Sequence, residues 1–341
     1  MKAIGYHANK AITEPHALVD IELPQPIASG RDVLVKVQAI AVNPVDFKIR
    51  QNAQPAAGEY RVLGWDAVGE VVAVGDEVAL LSVGQQVYYA GDLTRQGSNA
   101  EYQLVDERIV GNKPSNLTAA EAAALPLTTI TAYELLFKQL GMQQQVVGQT
   151  QKTAEVLLVV GAAGGVGSML LQLAKALTGA TIIATASRDS SKAWVKALGA
   201  DYVVDHSKPL AAQINALGIA AVTHVASLNH TERYVDDYVE VLQPFGKLGL
   251  IDDPATLEIK KLKPKSISLH WEFMFTRSMF KTADMLEQRH LLNQVAALIE
   301  QGVVRTTLGQ HFGQINAANL IRAHAELESG QAIGKIVLEG F

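Results

Sequence analysis

The chain has 341 residues, 48% hydrophobic and 18% charged, which suits a buried core in about two domains and excludes a disordered chain. Twenty-nine Lys and Arg against 34 Asp and Glu leave a net charge of −5, without the basic footprint that nucleic-acid binding requires. Cysteine is absent, so disulfide scaffolds, thiolate metal sites and cysteine nucleophiles are excluded.

Met1–Tyr6 carries one Lys and no apolar h-region, so no secretory signal is expected and the chain reads as cytoplasmic. The first ~125 residues read as β structure. Val33–Val42, Val68–Val74 and Gln86–Tyr89 have strand character, with Gly64, Gly69, Gly75, Gly84 and Gly91 as punctuation. That pattern predicts a barrel or a strongly bent sheet. Thr118–Ala124 then opens on Thr with Glu121 three residues on, the capping-box spacing of a helix start, and Thr129–Leu140 reads as a second helix ended by Gly141.

From Glu155 onward strands and helices alternate. Strands are expected at Val156–Val160, Thr181–Thr185, Tyr202–Val204, Val222–Ala226 and Lys247–Ile251, with helices to Leu177, over Ser190–Leu198, to Leu217 and over Glu232–Leu242. Short, almost wholly apolar strands between amphipathic helices predict a doubly wound parallel sheet. Val156–Ala174 is an uncharged run long enough to span a bilayer. Four glycines at its centre instead predict a buried strand, turn and helix, with no membrane partner. The tail is read as a strand over Ser266–His270, a helix over Thr282–Gln301, a weaker helix over Ala317–Glu328 and a last strand over Lys335–Leu338.

The strongest local signal is the strand Val156–Val160 running into Gly161-Ala162-Ala163-Gly164-Gly165-Val166-Gly167 and a helix. Glycines permit the tight turn and let backbone approach a pyrophosphate, whose charge meets the helix N-terminus. NAD sites usually place Asp or Glu about 20 residues further on, to hold the ribose 2′-hydroxyl. Here the strand ends Ala184-Thr185-Ala186-Ser187-Arg188, without that acid. Ser187 can donate a hydrogen bond, Arg188 can clamp a phosphate and Lys192 lies one turn on, which points to NADPH despite Asp189.

The glycine-rich turn, Val42-Asn43-Pro44-Val45-Asp46, Leu63-Gly64-Trp65-Asp66-Ala67-Val68-Gly69 and Gly334-Lys335-Ile336-Val337-Leu338 together resemble the medium-chain dehydrogenase/reductase superfamily, most closely its quinone-oxidoreductase branch. Leu269–Arg277 further resembles a subgroup often labelled zinc-type alcohol dehydrogenase-like. The resemblance runs through the whole chain. It implies an α/β fold with a bent, GroES-like β-barrel catalytic domain, residues 1–126 and 272–341, and an inserted Rossmann domain, residues 127–271. It also implies a homodimer joined through the edge of the Rossmann sheet.

Zinc-bearing members of the superfamily hold the metal through a Cys after the third strand, a Gly-His-Glu motif and a further Cys or Asp. The matching positions here are Asn43, Gly64-Trp65-Asp66 and Leu127, so no metal is expected. What remains suits hydride transfer from NADPH to a small-molecule quinone or α,β-unsaturated carbonyl. The alternatives are a zinc-type alcohol or aldehyde dehydrogenase and an NADPH-binding protein with little turnover. The resemblance places Asn43, Asp46 and Lys48 beside the nicotinamide, Lys48 being either an electrostatic donor or a surface charge. It assigns Thr128 to the nicotinamide end, His206 to the adenine-side phosphate and the backbone of Leu250 and Ile251 to the carboxamide. Trp65, Trp271, Phe273 and Phe275 are expected at the substrate pocket.

Overall fold

The structure, a computed structural model, describes residues 1–341 and divides into Met1–Ile130 with Phe275–Phe341 as one unit and Thr131–Met274 as the other. The first unit contains β1 (Lys2–Tyr6), β2 (Val19–Glu22), β3 (Asp32–Val42), α1 (Pro44–Asn52), β4 (Arg61–Val62), β5 (Ala67–Val74), β6 (Gln86–Tyr89), β7 (Tyr102–Asp106), β8 (Val110–Asn112) and α2 (Ala119–Ala123). Helix α3 (Pro126–Tyr133) then leads into the second unit, where β9 (Val156–Val160), α4 (Gly165–Leu177), β10 (Thr181–Thr185), α5 (Asp189–Ala197), β11 (Tyr202–Val204) and α6 (Leu210–Ala216) follow in turn. That unit is completed by β12 (Val222–Ser227), α7 (Thr231–Val241), β13 (Leu242–Leu250) and β14 (Ser268–Trp271). The chain returns to the first unit with α8 (Thr276–Phe280), α9 (Glu287–Glu300), β15 (Leu308–His311), α10 (Ala317–Glu328) and β16 (Lys335–Glu339).

In the first unit β3 organises a seven-stranded sheet ordered β15-β16-β3-β5-β6-β8, with β7 paired to the first half of β3. Register shifts between Leu34 and Val35 and between Val37 and Ala39 mark where the β3–β5 ladder bends. The ladder follows a bent path, in keeping with the barrel or strongly bent sheet expected from sequence, and β2-β1-β4 form a separate sheet. In the second unit all six strands are parallel, ordered β11-β10-β9-β12-β13-β14, the doubly wound arrangement. Leu158, Val160, Ile183, Val225, Leu248 and Tyr238 share one buried cluster there, which explains why the strands read as nearly continuous apolar runs.

Several elements differ from the sequence reading. The segment expected as helix Thr129–Leu140 begins at Pro126 and passes into a π-helix over Glu134–Gln139. The helix expected over Thr282–Gln301 is confined to α9, because Lys281 takes a left-handed φ of 46° and the Thr282 hydroxyl donates to Asp284 Oδ1 at 2.6 Å in the intervening turn. β13 starts at Leu242, five residues before the expected strand, with Phe245 at a φ of 64° in the irregular stretch. α1 was not foreseen at all. The uncharged run Val156–Ala174 forms β9 and most of α4, and no helix is long and apolar enough to cross a membrane.

Candidate active site

Each unit carries one group of residues singled out from sequence. In the second unit the glycine-rich turn lies at the carboxyl end of β9, where doubly wound sheets bind their ligands. Gly161 has a φ of 82°, and a Cβ there would meet Asn229 Oδ1 at 2.8 Å. Gly164 is the N-cap of α4, a 13-residue helix whose free N–H groups face the turn. A Cβ on Gly167 would meet Ala162 O at 2.5 Å and Ala162 Cα at 2.6 Å, so α4 packs backbone-close on the turn. Gly167→Ala should therefore lower stability by about 1–3 kcal/mol through overpacking and weaken dinucleotide binding with it. Thermal melting and a fluorescence titration with NADPH check this; wild-type values for both would show that the turn has slack.

The other expected cofactor residues of this unit stand at the same sheet edge. Ser187, Arg188 and Lys192 follow β10, with Arg188 the N-cap of α5 and Lys192 N–H donating to Arg188 O at 2.9 Å. His206 follows β11. Burial pushes it below the ordinary histidine range, with Arg233, Arg188 and His230 adding repulsion and Asp205 opposing them. Arg233, in the first turn of α7, is a cation that the sequence reading did not find, and His230 precedes that helix on the β12–α7 connection. Leu250 ends β13, where its carbonyl accepts from Glu272 N–H at 3.0 Å, and Ile251 N–H donates to Ser227 O at 3.4 Å. The β12–α7 connection is held by Ser227 Oγ, which hydrogen-bonds with Thr231 Oγ1 and Tyr238 OH at 2.8 Å each. Thr231 N–H donates to Asp252 Oδ2 at 2.8 Å, fixing the loop that carries Asn229 against Gly161.

In the first unit β3 ends at Val42 and Asn43 caps α1. Pro44 at the first helical position lacks the N–H that would otherwise go unpaired, and Asp46 Oδ2 accepts from Asn43 N–H at 2.7 Å. Asn43 and Asp46 are buried, and Lys48 is partly exposed. The Asn43 amide is fully engaged: Nδ2 donates to Asp66 Oδ2 at 2.8 Å and Oδ1 accepts from the Lys335 ammonium. Lys335 also donates to Val42 O at 2.7 Å and lies 3.0 Å from Asp66 Oδ2. Asp66 Oδ1 accepts from Leu127 N–H at 2.7 Å, one residue before Thr128, whose hydroxyl donates to Leu125 O at 3.0 Å. Burial pushes Asp46 up to about 7, with Asp66 raising it further and Asn43 N–H, Lys335 and Gly64 N–H opposing. Asp66 is also raised by burial, against the pull of Lys335, Asn43 and Leu127.

Of the four aromatic residues read as pocket lining, Trp65 and Phe275 pack edge to face at 6.2 Å inside the first unit, and Trp65 Nε1 donates to Asp92 O at 3.2 Å. Trp271 and Phe273, in the second unit, are 51% and 47% exposed. Lys335 appeared in the sequence only as part of a strand motif, and nothing local signalled its place beside Asn43.

A bent GroES-like sheet unit and a doubly wound unit with a glycine-rich turn define a nicotinamide-dependent type of oxidoreductase. The chain matches the alcohol dehydrogenase GroES-like domain over residues 29–126 and the zinc-binding dehydrogenase family over residues 198–338. It is 39% identical to a zinc-type alcohol dehydrogenase-like protein of Staphylococcus aureus, covering 99% of both chains. A crystallised protein of Rhizobium etli, of the zinc-dependent alcohol dehydrogenase type, is 51% identical with a TM-score of 0.95, covering 100% of this chain and 98% of that one. A 2-methylene-furan-3-one reductase of Solanum lycopersicum is 42% identical over 52% of this chain and 45% of its own. The chain belongs to the medium-chain dehydrogenase/reductase superfamily, and it is an oxidoreductase of that family.

Zinc is part of the names of two of these relatives, but the residues here do not fit it. At the three positions that match the metal ligands stand an amide bound to an ammonium, an indole N–H that donates to a carbonyl, and an aliphatic side chain. The one carboxylate, Asp66, already serves Leu127, Asn43 and Lys335, and a buried ammonium 3.0 Å away repels a dication. No three His, Asp or Glu side chains meet as a metal site elsewhere in the structure.

Proposed function

We propose that this chain is a zinc-free, NADPH-dependent reductase of quinones or α,β-unsaturated carbonyls. The observation that carries the reading is the buried Lys335–Asp66–Asn43 cluster, which puts a protein cation where a metal-dependent relative needs its ligands. Without a Lewis acid, oxidation of an alcohol lacks a means of activating its hydroxyl, whereas an acceptor already polarised by conjugation needs only orientation and a hydrogen-bond donor. Bound NADPH would supply a hydride, two electrons and one nucleus, leaving NADP⁺. The acceptor then takes one proton to become the saturated carbonyl, or the quinol. We assign the developing oxyanion to Lys48, a cationic side chain partly exposed on α1, because the Asn43 amide is engaged by Asp66 and Lys335. The tomato relative, which reduces a methylene-furanone, supports an enone as the acceptor type. The cationic group at the ends of β10 and β11 supports NADPH over NADH.

The test is NADPH consumption across quinones, enones and aldehydes, with elemental analysis of the purified protein. Turnover with quinones or enones, unaffected by chelator and without stoichiometric zinc, is expected. Alcohol oxidation abolished by chelator would replace this reading by a zinc dehydrogenase. Tight NADPH binding with no turnover on any acceptor would leave a binding protein.

A further inference from the structure

Lys335 is the first residue of β16 and is 4% exposed. An ammonium has three protons, and here three acceptors take them: Val42 O, Asn43 Oδ1 and Asp66 Oδ2. These acceptors belong to different segments, the end of β3, the cap of α1 and the connection from β4 to β5. Asp66 extends the set to a fourth segment by accepting from Leu127 N–H at the start of α3. A buried cation needs such complete compensation, so the geometry of all four segments is coupled to one side chain. The direction of the Asn43 amide is also settled by it. With Oδ1 turned to the ammonium, Nδ2 can only face Asp66.

We propose that Lys335 is a positioning residue: its ammonium fixes Asn43 and Asp66, and through them sets the start of α1, which carries Lys48, and the start of α3, which carries Thr128. The effect on turnover rests on the reductase reading above, whereas the effect on geometry stands apart from it.

Two variants test it. Lys335→Met removes the charge at similar length but leaves Asp66 buried without its cation, and it is expected to melt lower than wild type. The double variant D66N/K335M removes both charges and is expected to recover most of that melting temperature. Measured well below melting, Lys335→Met should lose kcat at least about tenfold, with a smaller rise in the NADPH dissociation constant, since Thr128 is one cofactor contact beside those proposed for the second unit. The double variant should remain at least about fivefold below wild-type kcat although it is stably folded. Wild-type kcat in either variant overturns the proposal and leaves Lys335 a purely structural ion. If the wild type itself turns over no acceptor, the reductase reading fails and a crystal structure of the double variant decides instead. A reoriented Asn43 amide with a displaced start of α3 upholds the positioning role; both unchanged from wild type overturn it.

Discussion

Arg188→Ala should raise the KM for NADPH about 10- to 100-fold and leave that for NADH nearly unchanged. The two cofactors differ by one 2′-phosphate, which carries close to two negative charges at neutral pH. Arg188 caps α5, which places its side chain and the N-terminus of that helix where β10 ends. Arg233 and His230 share the neighbourhood of His206 with Arg188, while Asp189 in the same turn works against them. One charge-assisted hydrogen bond contributes about 1.5–3 kcal/mol, and 1.4 kcal/mol is tenfold in affinity. The contact is remote from the transferred hydride, so kcat at saturating NADPH should change little. Steady-state kinetics with both cofactors decide the matter: equal weakening of NADPH and NADH, or of neither, would mean that Arg188 does not read the phosphate.

Glu272→Gln should make the protein more stable in alkali while leaving it unchanged in mild acid. Glu272 follows β14 and is 3% exposed, with Oε2 accepting from Gln139 at 3.2 Å and Oε1 without a partner. Burial pushes its carboxyl from an ordinary 4.5 up to about 8, opposed by Gln139 and Lys138. A carboxyl whose folded pKa is raised contributes stability below its unfolded pKa and loses it as pH climbs through the folded one. The wild type should accordingly lose stability between about pH 4.5 and pH 8 at this site, and glutamine, which never ionises, should not. At about 1.36 kcal/mol per pH unit the ceiling is about 5 kcal/mol, or roughly 5–10 °C in melting temperature. Asp46 loses stability over part of the same window, while buried His324, pushed down to about 3, loses it as pH falls below the ordinary histidine range. Both act equally in the two proteins, so the difference between the melting curves isolates Glu272. Parallel curves from pH 5 to pH 9 would show that this carboxyl is ionised throughout.

The second unit was readable because its signals are local. A strand, a glycine turn and a helix adjoin one another in Val156–Leu177, and each later strand shows its two buried faces as an apolar run. The first unit was harder for a physical reason. Its central strand, β3, changes partners along its length, from β7 to β16, so no single alternation of apolar and polar residues survives. The cap of α1 is legible in the sequence, as Asn43, Pro44 and Asp46 carry a helix-start spacing. Burial of Glu272 beside Gln139 depends on how the π-helical segment meets β14, which no window of sequence contains. The same holds for Lys335, whose partner Asn43 lies 292 positions away.

That separation sets a timetable for synthesis. The second unit is one continuous stretch, Thr131–Met274, and has all its strands as soon as it leaves the ribosome. The first unit does not, because β16 lies between β15 and β3 in its main sheet and is made last. At about 5–20 residues per second, the 292 residues from Asn43 to Lys335 take roughly 15–60 s to translate. Throughout that interval the second half of β3 has an open edge on the side that β16 will fill, and Asp66 has no cation. The second unit is therefore complete before the first, and residues 1–130 wait, with an apolar strand exposed to mispairing and to chaperones, until β16 has been made.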